Sequence, residues 1–267
     1  MTPAWDDRAW AALEAELARW AAAGRPATLW WRDDDAGPAG PALDRLLALA
    51  ETTGVPLALA AVPAWLEPAA VAGIVDAGPG VTVVQHGFAH RDHEPRPAPG
   101  ARRRKAELGD ARSPAAALAE LAAGGARLAA AFGPRYRPVL VPPWNRIAPA
   151  LVPALPAAGY RALSAMGPRA AARTAPGLAV LNCHVDPIRW REDRAFAGAD
   201  WLLRALADQL AMRRQGRIDA AEPTGLLTHH QDLDPGAWAC LGELLHRLRR
   251  HPAIALPPLD ALLARPA

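Results

Sequence analysis

The chain has 267 residues, of which 51% are hydrophobic, and a formal net charge of +3. This length can form one α/β barrel or two smaller domains, and this hydrophobic fraction can fill a large core. The small charge comes from arginines scattered along the chain rather than gathered in a tail, which argues against a nucleic-acid partner.

The beginning of the chain carries several acidic side chains and lacks the basic end and apolar stretch of a secretory signal. We expect no segment to be long and apolar enough to span a bilayer. The two cysteines, Cys183 and Cys240, lie far apart in the sequence. A disulfide between them is conceivable, but reduced thiols fit better, and we predict a cytoplasmic protein. The sequence leaves the oligomeric state open.

Strand-like and helix-like segments alternate along the chain. The predicted helices are 6–23, 41–54, 64–78, 113–133, 149–158, 199–215 and 235–250. The predicted strands are 27–32, 56–62, 81–86, 137–141, 160–165, 177–184 and 224–230. Repeated β-then-α units imply a parallel sheet with helices outside it, in a single domain over residues 1–267.

Two segments interrupt this regular pattern. Residues 91–110 are charged and rich in Pro and Gly, which predicts the longest loop, and long loops often bind or cover a site. We interpret Glu107 in this loop as half of a salt bridge at a helix start, with closure of the loop over a site as the alternative. The helix over 113–133 begins with a Ser cap and a Pro, although Gly124 and Gly125 weaken its middle.

The chemically reactive residues lie at the C-terminal ends of the predicted strands. In parallel α/β barrels this rim carries the active site. The residues concerned are Asp33 to Asp35, His86, Pro142 to Asn145, His184 with Asp186, and His229.

The segment WRDDDAG places three acids side by side at the end of the first strand. Like charges on neighbouring residues repel each other, and more strongly as they are buried. The acids are therefore either solvated or held near a cation. The simple alternative to a cation site is a solvated turn that caps the next helix, because Asp is a favoured cap residue.

The segment HGFAH places His86 and His90 four residues apart. If a helical turn starts at His86, both imidazoles point the same way and can hold a divalent metal. His93 is a further candidate ligand, or an ordinary loop residue. Two histidines and one carboxylate form a common zinc shell that leaves a position open for water.

These two segments resemble motifs of the polysaccharide deacetylases of carbohydrate esterase family four, which include the nodulation-type deacetylases. The family motif Thr-Phe-Asp-Asp-Gly is similar to RDDDA at 32–36, and the motif His-Ser/Gly-x-x-His is met in full at 86–90. The motif Arg-x-Pro-Tyr resembles VPPWN at 141–145. Val141 replaces the arginine there, and Arg137 and Arg146 are possible substitutes.

Two further motifs are variants of the family pattern. The family's neighbouring Asp and Trp are approximated by Asp186 and Trp190 in HVDPIRW, where a structural Asp–Arg pair is the alternative explanation. The family's Leu-x-His is similar to LLTH at 226–229. The five motifs occur in family order and span most of the chain.

The resemblance implies a distorted (β/α) barrel and a metal-dependent deacetylase that releases acetate from an N-acetylated sugar or glycan. It implies a divalent metal ion, Zn²⁺, held by Asp35, His86 and His90, with Asp34 as the base and His229 as the acid. Shifting the alignment by one residue would make Asp33 the base and Asp34 the ligand, and His230 is the one-step alternative to His229. The implied substrate-binding residues are Pro143, Trp144, Asn145, Asp186 and Trp190, with a backbone N–H near Trp144 stabilising the oxyanion.

Two other functions stay open at this stage. A metal-dependent hydrolase of a non-sugar C–N bond would use the same ligands, and a non-catalytic carbohydrate-binding relative would lose the base or the acid. Trp30 and Trp31 are further candidates for stacking on a sugar. A cytoplasmic location favours a precursor glycan, a lipid-linked sugar or a small amide over cell-wall polymer.

Overall fold

The computed structural model describes residues 7–96 and 103–264, so residues 97–102 of the predicted loop and the first residue of the predicted helix 6–23 lie outside it. Within the described residues the strands are β1 Ala27–Ala36, β2 Leu57–Ala61, β3 Val81–His86, β4 Tyr136–Val141, β5 Ala162–Leu163, β6 Arg173–Ala175, β7 Leu178–Val180, β8 Thr224–Thr228 and β9 Ile254–Ala255. The helices are α1 Asp7–Ala22, α2 Pro41–Thr53, α3 Pro68–Asp76, α4 Pro114–Phe132, α5 Ala199–Arg214, α6 Pro235–Arg250 and α7 Leu259–Leu263.

All strands join one curled sheet in the order β6-β7-β5-β4-β3-β2-β1-β8, with β9 beside β1. Every pairing is parallel except that of β6 with β7. Beyond β7 the chain leaves regular strand geometry and makes isolated bridges, including Val185 with Leu226 of β8. These bridges curl the sheet back on itself, and the predicted distorted (β/α) barrel is confirmed.

The alternation of side chains along β1 separates the two apolar regions of the fold. Leu29 and Trp31 pack outward against the helices in the largest core cluster. Trp30 points inward, where it belongs to a second cluster with the small residues Ala58 and Ala60 of β2. Because strand side chains alternate between faces, Arg32 and Asp34 share the inward face with Trp30.

Proline explains two differences from the predicted helices. The predicted helix 149–158 is a 3₁₀ turn over Pro149–Ala154, because the repeated prolines lack the N–H groups that an α-helix needs. The predicted helix 64–78 is divided into a 3₁₀ turn, Pro63–Trp65, and α3, which begins at Pro68. Pro at the first position starts a helix readily but cannot continue one from the preceding residues.

The short elements account for most of the remaining differences. The predicted strands 160–165 and 177–184 are regular only over Ala162–Leu163 and Leu178–Val180. The strands β6 and β9 and the five-residue helix α7 were not predicted from the sequence. Each is too short to carry a clear hydrophobic period.

The expectation that no segment is long and apolar enough to span a bilayer is wrong for one helix of the described chain. Residues Pro114–Arg135 reach that length and hydropathy, with a mean hydropathy of 1.3 and 28% of the window buried. In this fold α4 packs on β3 and β4 through one face, which includes Leu121, Leu128 and Phe132. Alanine supplies much of the hydropathy on its other faces.

Candidate metal centre

The three adjacent aspartates at the end of β1 face three different surroundings. The pairing of β1 with β2 shifts register between Asp33 and Ala36, and Asp35 adopts a left-handed backbone with φ of 67°. Such a β-bulge re-aims a side chain that would otherwise follow the alternation of the strand. The acids are therefore separated from one another instead of repelling each other in a row.

Asp35 faces the two histidines of the HGFAH segment. Its Oδ1 lies 3.2 Å from His86 Nε2 and 3.3 Å from His90 Nε2. One ligand atom from each of the three residues lies within 4.8 Å of the others. These three side chains form the one such cluster that the described residues contain.

His86 and His90 do not share a helical turn, as the sequence interpretation supposed. His86 is the last residue of β3, and the chain then turns through left-handed backbone at Gly87 (φ 56°) and His90 (φ 52°). The Nδ1 of His86 lies 2.9 Å from the carbonyl oxygen of Val141. A carbonyl only accepts, so Nδ1 carries a proton, and Nε2, which faces Asp35, is the ring atom left to ligate a metal. His93, the further candidate, is not part of the cluster.

Two of the three side chains in this cluster, Asp35 and His90, already favour the charge state in which they can bind a cation. Burial raises the pKa of Asp35, but the close approach of His86, with the charges of His90 and His229, outweighs it and holds the pKa below its usual range. Burial and the nearby His86 lower the pKa of His90 to about 4. The buried Oδ1 of Asp35 has no hydrogen-bond partner. An ionised carboxylate with a vacant lone pair and a neutral imidazole are the forms that ligate a divalent metal.

Asp34 is bound by an arginine from its own strand. Arg32 Nε lies 2.8 Å from Asp34 Oδ1, and Arg32 Nη2 donates to Asp34 Oδ2 at 3.0 Å. The same guanidinium donates to Ser164 Oγ at 2.6 Å and to Asn145 Oδ1 at 2.9 Å. A fork of this kind fixes the plane of a carboxylate. Asp34 also lies near enough for its charge to act on His86 and His90.

The two arginines suggested as substitutes for the family arginine make contacts elsewhere. Arg137 pairs with Asp260 near the surface, and Arg146 donates to the carbonyl oxygen of Lys105. The sequence did contain a signal that Arg32 contacts Asp34, because residues two apart in a strand share one face. It did not show that this face points into the barrel.

Asp33 and His230 pair with each other. The Oδ1 of Asp33 lies 2.6 Å from His230 Nδ1, and Thr228 Oγ1 donates to Asp33 Oδ2 at 2.6 Å. Both side chains of the pair are buried. Burial lowers the pKa of His230, but the charge of Asp33 and their hydrogen bond raise it overall. Asp35 belongs to the cluster of possible metal ligands, whereas Asp33 and Asp34 do not.

His229 lies across the site with Asp186 and Trp190. Its Nδ1 is 3.9 Å from Asp186 Oδ2, and its ring meets the Trp190 indole edge-on at 4.5 Å between centroids. Trp190 Nε1 donates to Asp186 Oδ2 at 2.6 Å. Burial raises the pKa of Asp186. The alternative of an Asp186–Arg189 pair is not what the fold uses, because Arg189 binds Asp193.

Solved structures with the same architecture include proteins that act on acetylated polysaccharides. A protein from Mycobacterium smegmatis assigned to the polysaccharide deacetylases superimposes with a TM-score of 0.62 at 16% identity, over 83% of this chain and 75% of that one. The fold is that of the polysaccharide deacetylases. No known protein-family profile and no curated protein sequence matches the chain.

Two more structures show how varied proteins of this deacetylase fold are. A family 4 acetyl xylan esterase from Clostridium thermocellum, solved with a cobalt ion, has a TM-score of 0.54 at 13% identity, over 88% of this chain and 89% of that one. A mutant of a family 4 pseudoenzyme with restored enzymatic activity has a TM-score of 0.54 at 15% identity, over 90% of this chain and 68% of that one.

In this deacetylase fold the turn after β4 forms one wall of the site. Trp144 and Asn145 have left-handed backbone, with φ of 55° and 54°. The Trp144 ring lies 4.3 Å from the ring of His90. The amides of Asn145 and Arg146 donate to the carbonyls of Pro142 and Pro143. The predicted oxyanion donor near Trp144 is therefore not the amide of Asn145 or of Arg146.

The interpretation of Glu107 as a salt bridge at a helix start is wrong. Glu107 is fully buried, and its carboxylate accepts hydrogen bonds from the amides of Phe88, Ala89 and His90. No charge pattern in the sequence links Glu107 to the HGFAH segment, because the partners are backbone amides.

Proposed function

We propose that this protein is a metal-dependent deacetylase that hydrolyses the N-acetyl group of a sugar or glycan and releases acetate. The observation that carries the proposal is the convergence of Asp35, His86 and His90 on one point, beside a carboxylate, Asp34, and a histidine, His229. These groups can together carry out metal-assisted hydrolysis of an amide at neutral pH.

Asp35, His86 and His90 would hold a divalent ion, for which we propose Zn²⁺. A divalent ion held there supplies Lewis acidity, which polarises a carbonyl and makes water a better nucleophile near neutral pH. Two histidines and one carboxylate are a frequent ligand set for catalytic zinc.

Asp34 and His229 would move the two protons. Asp34 accepts a proton from the attacking water while the new C–O bond forms, and the fork from Arg32 keeps its carboxylate in place. His229 donates a proton to the nitrogen as the C–N bond breaks, so the products are an amine and acetate. Nδ1 of His229 lies on the side of the ring that faces Asp186, which leaves Nε2 as the atom that would give the proton.

Two tryptophans would border the substrate. Trp144 stands against His90 on one side, and Trp190 stands against His229 on the other. Indole faces bind the apolar faces of sugar rings. Pro143, Asn145 and Asp186 complete the proposed substrate-binding residues, with the amide of Trp144 as the candidate oxyanion donor. A cytoplasmic substrate, such as a precursor glycan or a lipid-linked sugar, remains a prediction.

The test combines metal content with acetate release. Purified protein should contain or bind about one zinc per chain and should release acetate from at least one member of a panel of N-acetylated mono- and oligosaccharides. His86→Ala should lose both the metal and the activity, because it removes a ligand. His251→Ala is a matched control, since His251 pairs with Glu14 away from the site. Full hydrolysis by metal-free protein would refute the proposal.

Adding O-acetylated xylan and non-sugar amides to the panel separates the alternatives. Turnover of O-acetylated xylan or of non-sugar amides, without turnover of N-acetylated sugars, would assign the same metal centre to another bond. Zinc and sugar binding without any turnover would make the protein a non-catalytic relative. The presence of both Asp34 and His229 favours the enzyme.

A further inference from the structure

The segment from Gly87 to His90, which we name the histidine loop, carries one proposed ligand on an unusual backbone. Gly87 and His90 both have positive φ, a conformation that side chains other than glycine rarely adopt. The loop lies between β3 and the turn at Pro63–Trp65, where the amide of Ala64 donates to the Phe88 carbonyl. The amides of Phe88, Ala89 and His90 also need acceptors, because buried unpaired N–H groups are costly.

Glu107 supplies these acceptors. Its Oε1 accepts from the amides of Phe88 at 3.1 Å and Ala89 at 2.8 Å, and its Oε2 accepts from the amide of His90 at 3.0 Å. Three successive amides that converge on one anion form a concave nest of the kind that binds phosphates. Here the anion is a side chain of the protein, and it is fully buried.

The atoms around Glu107 are closely packed. A Cβ on Gly87 would lie 2.2 Å from Glu107 Oε2 and 2.6 Å from Pro143 Cγ, so only glycine fits there. The backbone on both sides of Glu107 is also held by hydrogen bonds. The amide of His93 donates to the Ala106 carbonyl, and the amide of Ala148 donates to the Leu108 carbonyl.

The other two proposed ligands do not depend on Glu107. Asp35 is set by the bulge in β1, and His86 belongs to β3 and bonds the Val141 carbonyl through its ring. Glu107 contributes no atom to the ligand cluster. Its hydrogen bonds reach that cluster through the backbone of the histidine loop, and His90 is the one proposed ligand whose amide it holds.

We propose that Glu107 is a positioning residue that folds the histidine loop around its carboxylate and thereby aims His90 at the metal. This rests on the proposed function for the identity of the metal centre, but the effect on the loop is a property of the chain alone. The predicted consequence is selective. Without the carboxylate, the site should behave as though it had two ligands, Asp35 and His86.

The main experiment compares zinc affinities, measured by competition with a chromophoric chelator. Glu107→Gln keeps the shape but replaces one acceptor oxygen with an NH₂ group that opposes the loop amides. It should weaken zinc binding by about 10- to 100-fold, as loss of a group that orients a ligand usually does. The matched control Glu120→Gln, at a surface carboxylate paired with Arg112, should bind zinc like the wild type.

A double-mutant cycle distinguishes positioning of His90 from a general loss of structure. His90→Ala should weaken zinc binding on its own, and adding Glu107→Gln to it should cost no more than about a further twofold. Additive losses would mean that Glu107 does not act through His90. A zinc affinity of Glu107→Gln equal to that of the wild type would also overturn the proposal.

Amide hydrogen exchange in metal-free wild-type protein tests the same idea without any variant or any zinc. The amides of Phe88, Ala89 and His90 should be protected, and free exchange at all three would overturn the proposal even if Glu107→Gln fails to fold. If the wild type binds no zinc while these amides are protected, the proposed function fails and the role of Glu107 in shaping the loop stands.

Discussion

At the scale of single residues, the three aspartates show how neighbours acquire different tasks. Asp33 is paired with His230, Asp34 with Arg32, and Asp35 with the two histidines of the cluster. The residue types alone could not decide which pair resembles the family's base and ligand. The bulge that separates them is a backbone feature, and no side chain in the segment predicts it.

Replacing Asp34 tests its proposed role as the base. Asp34→Asn keeps the size of the side chain but cannot accept the proton from water, so kcat/KM should fall by about 10²- to 10⁴-fold. Zinc content should stay near that of the wild type, because Asp34 is not one of the proposed ligands. Acetate release and zinc content, measured on the same preparation, check both parts.

Asp33→Asn is the matched control one residue away. It removes the charge that pairs with His230 and should lower the free energy of unfolding by about 1–3 kcal/mol. Zinc should still bind, because the ligand cluster is intact. If instead Asp33→Asn abolished turnover and Asp34→Asn did not, the assignment of the base would move to Asp33.

At the scale of elements, β3 was predicted with its observed bounds, but the loop that follows it was not. A strand is recognisable because its β-branched residues repeat with a short period. The histidine loop owes its shape to Glu107, which lies 17 residues beyond His90 in the sequence. A long-range contact of this kind leaves no local pattern, so the i, i+4 spacing was mistaken for a helical turn.

The middle of α4 is a second place where a contact with another element decides which residue fits. Gly124 looks like a weakness in the helix, yet a Cβ there would lie 2.5 Å from Gln85 Nε2 and 2.9 Å from Pro63 Cγ. Gln85 in turn donates to the carbonyls of Gly87 and Leu121, and so joins β3 to α4. Gly124 is therefore where the helix approaches the base of the histidine loop.

Gly124→Ala should accordingly destabilise the protein, by about 1–3 kcal/mol, because overpacking outweighs the better helix propensity of alanine. The free energy of unfolding in urea measures this. Gly242→Ala in α6 is the matched comparison, since its Cβ would meet only Leu49 Cδ1, at 3.6 Å. That variant should be stabilised by up to about 1 kcal/mol. Equal effects of the two substitutions would contradict the close packing at Gly124.

At the scale of the whole molecule, the parallel sheet explains why distant residues meet. Asp35 is the last residue but one of β1, His86 ends β3 and His229 follows β8, and parallel strands carry their C-terminal ends to one rim. This convergence could be predicted from the sequence, because it requires only the order of elements and their direction. The irregular bridges near Val185 that curl the sheet could not, since they lie outside regular strands.

A metal at this rim would tie β1 to β3 across β2, so it should stabilise the whole fold. At a zinc concentration 100 times the dissociation constant, binding to the folded state alone adds about 2.7 kcal/mol. For a chain of this size that corresponds to a rise in Tm of about 5–10 °C. Thermal unfolding of metal-free protein, with and without added zinc, measures the shift.

The specificity of that shift is what identifies the site. His90→Ala should lose most of it, because two remaining ligands hold zinc much more weakly than three. Magnesium at the same concentration should produce little change, since Mg²⁺ prefers oxygen ligands and gives up its water reluctantly. An equal shift in the wild type and His90→Ala would show that zinc binds the surface instead, and that the convergence of Asp35, His86 and His90 has another purpose.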